Sequence, residues 1–105
     1  MLSPRKERAL VTGASSGIGL EIAKVLGSQG CNLVITARRK AELESLAKEL
    51  TERHSIDVQV VVSDLSEQVG VENLIRETGE IDILVNLLNV FQSTLLREIP
   101  ILLFF

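Results

Sequence analysis

From Glu7 onward, short apolar runs alternate with segments of helical period. Ala9-Leu10-Val11-Thr12 reads as a buried strand that ends at Gly13. Ser16 to about Ser28 predicts a helix with Ile18, Ile22 and Val25 on one face, widened by Ala23 and Leu26. Gly27 and Gly30 mark its end. Asn32–Thr36 is a second strand. Lys40 to about Arg53 is a second helix, with Leu43, Leu46, Ala47 and Leu50 at i, i+3, i+4 and i+7. Glu44 and Lys48 are spaced for an ion pair on its outer side. Val58–Val62 is a third strand. Ser66 can cap a third helix running to about Thr78, with Glu67 in its first turn. Ile81–Val85 is a fourth strand.

This order is β-α-β-α-β-α-β. Strands that are apolar almost throughout belong in a parallel sheet covered on both faces, so the fold class is α/β. Right-handed crossovers favour a doubly wound sheet with strand order 3-2-1-4. Residues 87–105 break the rhythm. All three Phe of the chain, Phe91, Phe104 and Phe105, lie there. Arg97, Glu98 and Pro100 interrupt this stretch, which makes it a poor membrane-spanning helix.

Composition narrows the chemistry. The 105 residues suffice for one small domain, and 46% hydrophobic with 24% charged residues reads as a soluble protein. The net charge of −3 and the lack of a basic stripe argue against a nucleic-acid partner. There is no Tyr and no Trp, so no residue here can serve as a phenolic acid. One Cys and one His are too few for a zinc site of those ligands and allow no internal disulfide. Met1–Arg8 is charged, without the apolar stretch of a signal peptide, and the expected compartment is the cytoplasm. His54 near a helix C-terminus and Cys31 before a strand read as structural residues.

The candidate chemistry lies between the first strand and the first helix, in Thr12-Gly13-Ala14-Ser15-Ser16-Gly17-Ile18-Gly19. Free N–H groups and the helix dipole make such a junction an anion site. Gly13 permits the tight turn, Gly17 lets a pyrophosphate approach the backbone, and Gly19 permits close packing of helix on strand. The spacing is Gly-x-x-x-Gly-x-Gly, and no Gly-Lys-Ser/Thr follows that would make it a P-loop. A tight turn without a ligand is the alternative.

With this turn, with Asp64-Leu65 after the third strand and with Asp82-Ile83-Leu84-Val85-Asn86, the chain resembles the short-chain dehydrogenase/reductase family over about residues 7–86. The resemblance implies a Rossmann-like domain at 1–86 (about four strands and three helices, part of the family's sheet) and a divergent apolar tail at 87–105. It also implies a nicotinamide cofactor bound by Gly13, Ser15, Ser16, Gly17, Ile18 and Gly19. Asp64 would meet the adenine edge, Leu65 its face or nearby backbone, and Asn86 would lie beside the cofactor. Read alone, Asp64 is equally a turn residue and Asn86 a strand-ending Asn.

The second strand runs into Thr36-Ala37-Arg38-Arg39-Lys40, with neutral Ala37 about where an NAD-type domain carries its acid. Cations at a helix start are locally unfavourable, and a 2′-phosphate would supply the missing negative charge. NADP(H) is therefore favoured and NAD(H) remains possible. Arg38 is the first choice for the phosphate contact and Arg39 the second, with a hydroxyl from Ser15. An ordinary solvated charge run, balanced by Glu42 and Glu44, is the alternative.

The family continues with Asn-Asn-Ala-Gly where this chain has Asn86-Leu87-Leu88-Asn89. The family's catalytic Ser and its Tyr-x-x-x-Lys pair fall beyond the resemblance. The chain is thus expected to be a truncated, catalytically silent, NADP(H)-binding part of an alcohol/carbonyl oxidoreductase. Truncation would leave the fourth strand a bare apolar edge, open to a second copy or a full-length relative. Alternatively, the tail folds back and covers that edge, or the chain is a remnant without function.

Overall fold

The structure is a computed structural model that describes residues 7–15, 17–63, 73–74, 76–86 and 101–104. Five strands form one parallel sheet: β1 (Arg8–Thr12), β2 (Asn32–Ala37), β3 (Val58–Val62), β4 (Ile83–Asn86) and β5 (Ile101–Phe104). Their order is β3-β2-β1-β4-β5. The first four stand in the expected order, which right-handed double winding allows. Helices α1 (Gly17–Ser28) and α2 (Lys40–His54) lie side by side on one face, over β1 to β3. Residues 73, 74 and 76–78 are also helical, while the rest of the third expected helix lies outside the described residues.

Both faces of the sheet are covered over β1, β2 and β4. On the α1/α2 face, Ala9, Val11, Leu33, Ile35, Ala37 and Val85 join Leu43, Leu46, Leu50 and Ile56 in one buried cluster. The alternate residues Leu10, Val34 and Leu84 are buried as well. That is the physical origin of the unbroken apolar strands.

Three expectations need correction. First, of the expected α1 face, Ala23 is buried and Ile22 and Leu26 pack against the core, but Ile18 and Val25 do not. The buried residues of α1 are Gly19, Ala23 and Gly27, while Ile18 is 61% and Val25 53% exposed. Small residues let the helix approach the sheet closely. A Cβ on Gly27 would lie 3.3 Å from Ile56 Cδ1 and 3.6 Å from Leu33 Cδ1. The helix also runs through Gly27 to Ser28, and Gly30, at φ 91°, makes the turn instead. Second, β4 is not an edge. Ile101–Phe104 pairs with it in parallel, Ile83 opposite Ile101 and Asn86 opposite Phe104, which gives its outer N–H and C=O groups partners. Of the two readings of the apolar tail, the one that covers the edge holds. Third, Glu44 lies 4.0 Å from Lys40 rather than against Lys48.

The opposite end of the sheet is laced by Arg8. Its backbone N–H donates to Asp82 Oδ2 and its C=O accepts from the Asp82 N–H, each at 2.9 Å. Its guanidinium donates to the carbonyls of Thr78 and Glu80 and, at 2.6 Å, to Gln59 Oε1. The hydrophobic pattern assigns Arg8 no role, because its partners lie on β3 and before β4.

Candidate functional site: a glycine turn at the carboxyl end of the sheet

Ligands of doubly wound sheets bind at the carboxyl ends of the strands, where the strand order reverses. Here that point is the end of β1, between β2 and β4. The glycine turn sits on it. Gly13 has φ 67° and Gly17 φ 60°, both in the left-handed region that favours glycine. Two bonds fix the turn. The Ala14 N–H donates to Thr36 O at 3.2 Å and ties it to β2, and Thr12 Oγ1 donates to Val85 O at 3.4 Å and joins the ends of β1 and β4. Ala14 is fully buried beneath the turn.

Above the turn the surface is open. A Cβ built on Gly17 meets nothing within 4 Å. The first turn of α1 carries no acidic side chain, so its N–H groups and dipole present an unopposed positive end. Gly19 is buried against the sheet, Ser15 is half-buried and Ile18 is exposed beside the turn. Ser16 lies outside the described residues.

The second half of the candidate site is the β2–α2 junction. Ala37 is buried and offers no carboxylate for a ribose hydroxyl. Arg38 is exposed and forms no ion pair among the described residues. Arg39 is the N-cap residue of α2, with no side-chain cap bond, and its guanidinium lies 3.5 Å from Glu42 Oε2. The Ser63 N–H donates to Ala37 O at 3.1 Å, holding the residue before Asp64 beside the residue before Arg38. Asp64 and Leu65 themselves lie outside the described residues. Asn86 is the last residue of β4, in register with Phe104.

The turn, Arg38 and the carboxyl ends of β1, β2 and β4 thus converge on one rim of the sheet. These residues fit a polyanion. An open cradle over a helix N-terminus suits a pyrophosphate, and an α2 N-terminus without a side-chain cap beside exposed Arg38 suits a further phosphate. Thr36 Oγ1 is buried without a hydrogen-bond partner at the end of β2. Strand periodicity alone hides it, since its isolation depends on neighbours from other strands.

His54 and Cys31 lie away from this rim. His54 is half-buried at the end of α2, its Cδ2 within 3.6 Å of a Cβ built on Gly27. Cys31 is a partly buried free thiol, and desolvation, followed by the nearby charge of Glu7, pushes its pKa up. It therefore lacks the depressed pKa of a thiolate nucleophile.

Comparisons with known proteins agree with this geometry. The family profile of the short chain dehydrogenases matches residues 7–95, past the last motif at Asn86. An uncharacterized oxidoreductase of Staphylococcus saprophyticus is 35% identical over 102 residues, covering 93% of this chain and 44% of that protein. A very-long-chain 3-oxoacyl-CoA reductase of Anas platyrhynchos is 36% identical over 88 residues, 81% of this chain and 28% of the reductase. Among solved structures, a short-chain dehydrogenase from Sphingobium yanoikuyae in complex with NADPH superposes with a TM-score of 0.70 at 37% identity, over 76% of this chain and 32% of that one. The L-sorbose reductase of Gluconobacter frateurii, complexed with NADPH and L-sorbose, gives 0.73 at 36% identity, over 77% and 32%. The chain therefore spans less than half the length of these relatives. It belongs to the short chain dehydrogenase family and corresponds to its N-terminal, Rossmann-like region.

Proposed function

We propose that this chain binds NADP(H) as the dinucleotide-binding part of an alcohol/carbonyl oxidoreductase and is catalytically silent by itself. The observation that carries the reading is the open, positive-φ Gly17 at the head of α1 together with exposed Arg38 at the head of α2, which has no ion-pair partner among the described residues. In this reading Gly13, Ser15, Ser16, Gly17, Ile18 and Gly19 hold the pyrophosphate side. Arg38, with Arg39 second, holds the 2′-phosphate. Asp64, Leu65 and Asn86 complete the adenine and ribose contacts. The bound dinucleotide would supply or accept a hydride. This chain's residues bind and orient it, and with no Tyr they include no phenolic acid to protonate a carbonyl oxygen. NADPH in two solved neighbours supports the phosphate-bearing cofactor, with NAD(H) as the weaker ligand.

Calorimetric titration with NADPH and NADH tests this. Saturable binding, tighter for NADPH, is the expected result. Arg38→Ala should weaken NADPH by about tenfold and leave NADH unchanged, the size of one charge-assisted phosphate contact. Binding of neither cofactor to the folded chain refutes the reading. Purified chain with NADPH and a panel of ketones should show no loss of reduced cofactor.

Residues 1–86 are the binding unit in this reading, and 87–105 form an apolar tail whose last strand shields β4. The compartment is the cytoplasm, where the free thiol of Cys31 is stable; cell fractionation checks that. Among the described residues, no helix is long and apolar enough to cross a membrane. A second reading is association with another copy or a full-length relative. Such pairing would use the outer edge of β5, because β4 already has its partner. Light scattering with and without the relative separates a lone monomer from a mixed assembly.

A further inference from the structure

Arg38, Arg39 and Lys40 form a run of three cations where β2 gives way to α2, and the three are not equivalent. Lys40 Nζ lies 4.0 Å from Glu44 Oε2, one helical turn along. Arg39 Nη1 lies 3.5 Å from Glu42 Oε2. Among the described residues Arg38 has no such counter-ion. The Arg39–Glu42 pair is exposed, its side chains 71% and 47% accessible, so solvent screens it and it holds only weakly. A pair this weak persists until a stronger anion arrives.

Glu42 holds a second advantage. It is the acidic residue in the first turn of α2, and no side chain caps that helix. The carboxylate therefore sits where the helix dipole favours negative charge and where it meets the Arg39 guanidinium. A cofactor phosphate at this junction would draw on both.

We propose that Glu42 is an internal competitor of the cofactor phosphate for Arg39, and that it thereby restrains the preference for NADP(H) over NAD(H). The inference rests on the NADP(H) reading above. Glu42 acts through Arg39 and is a positioning residue. With Glu42 engaged, Arg39 must first break that ion pair to meet the phosphate. With Glu42 neutralised, Arg39 is released from that pair.

The test is a double-mutant cycle read by calorimetry, using the full chain and its Glu42→Gln, Arg39→Gln and doubly substituted variants. Each is titrated with NADPH and with NADH. Glu42→Gln should tighten NADPH about threefold, the scale of one exposed ion pair, and leave NADH unchanged. In the Arg39→Gln background the gain should fall to less than half, since only direct repulsion by the carboxylate remains. A merely structural role for Glu42 would move the thermal midpoint but not the ratio of the two affinities. The proposal is overturned by an unchanged ratio in Glu42→Gln, or by an equal gain with and without Arg39. If the unsubstituted chain fails to prefer NADPH, the NADP(H) reading falls and takes this inference with it. If it prefers NADPH and Glu42→Gln changes nothing, this inference alone fails.

Discussion

At Gly17 two requirements coincide: a backbone at φ 60° and open space where a side chain would stand. A Cβ at this position meets nothing within 4 Å among the described residues, so the stability cost of alanine is that of the left-handed backbone, about 1 kcal/mol. Its methyl group would, however, occupy the approach to the α1 N-terminus. Gly17→Ala should therefore keep the fold, lower the thermal midpoint by several degrees and weaken NADPH and NADH together by about tenfold or more. Equal affinities in the two proteins would make the glycine a turn requirement only. This part of the site is legible in the sequence because its spacing is local. Gly13, Gly17 and Gly19 follow one strand and open one helix, and Arg38 directly follows the next strand. Thr36 is not legible in that way. Its hydroxyl is buried and unpartnered because β1 and β3 flank it, and only the assembled sheet brings them there.

Helix α1 shows where pattern reading goes astray at the scale of an element. A stripe of Ile18, Ile22 and Val25 predicts the buried face, since large apolar residues usually supply it. Close packing reverses that here. Gly19, Ala23 and Gly27 form a smooth face that lets the helix lie near β1 and β2, while Ile18 and Val25 turn outward. Strand positions suffer less ambiguity, because β1, β2 and β4 are buried on both faces and any apolar run serves there. The rotation of α1 has a direct test. Ile18→Gln and Val25→Gln should each change stability by no more than about 0.5 kcal/mol, as surface substitutions do. Gly27→Leu should cost roughly 1–3 kcal/mol, because its side chain must enter space already held by Ile56, His54 and Leu33. Urea denaturation of the three variants decides. Large losses at Ile18 or Val25 would put the stripe back in the core.

The strand order β3-β2-β1-β4 is the one that right-handed crossovers and the glycine turn after β1 favour, and the sheet adopts it. The fate of the tail does not follow in that way. A strongly apolar run after a domain is compatible with a free end, a docking segment or another strand, and only pairing distinguishes them. Here Ile101–Phe104 extends the sheet in parallel register with Ile83–Asn86. The consequence concerns the whole molecule. Leu84 and Val85 of β4 are fully buried, and β4 stands directly beside β1, which carries the glycine turn. Deleting residues 101–105 would return β4 to an edge, with a row of unpaired N–H and C=O groups and apolar side chains next to it. We expect a loss of about 2 kcal/mol, on the order of 10 °C in Tm for a domain of this size, together with concentration-dependent association in light scattering. NADPH affinity should fall much less than in Gly17→Ala, because β1 keeps β2 on its other side and the Ala14–Thr36 bond survives. A deletion that leaves Tm and mass unchanged would mean that β5 adds nothing to the sheet. A deletion that abolishes NADPH binding while the fold persists would mean instead that the strand beyond β4 belongs to the site.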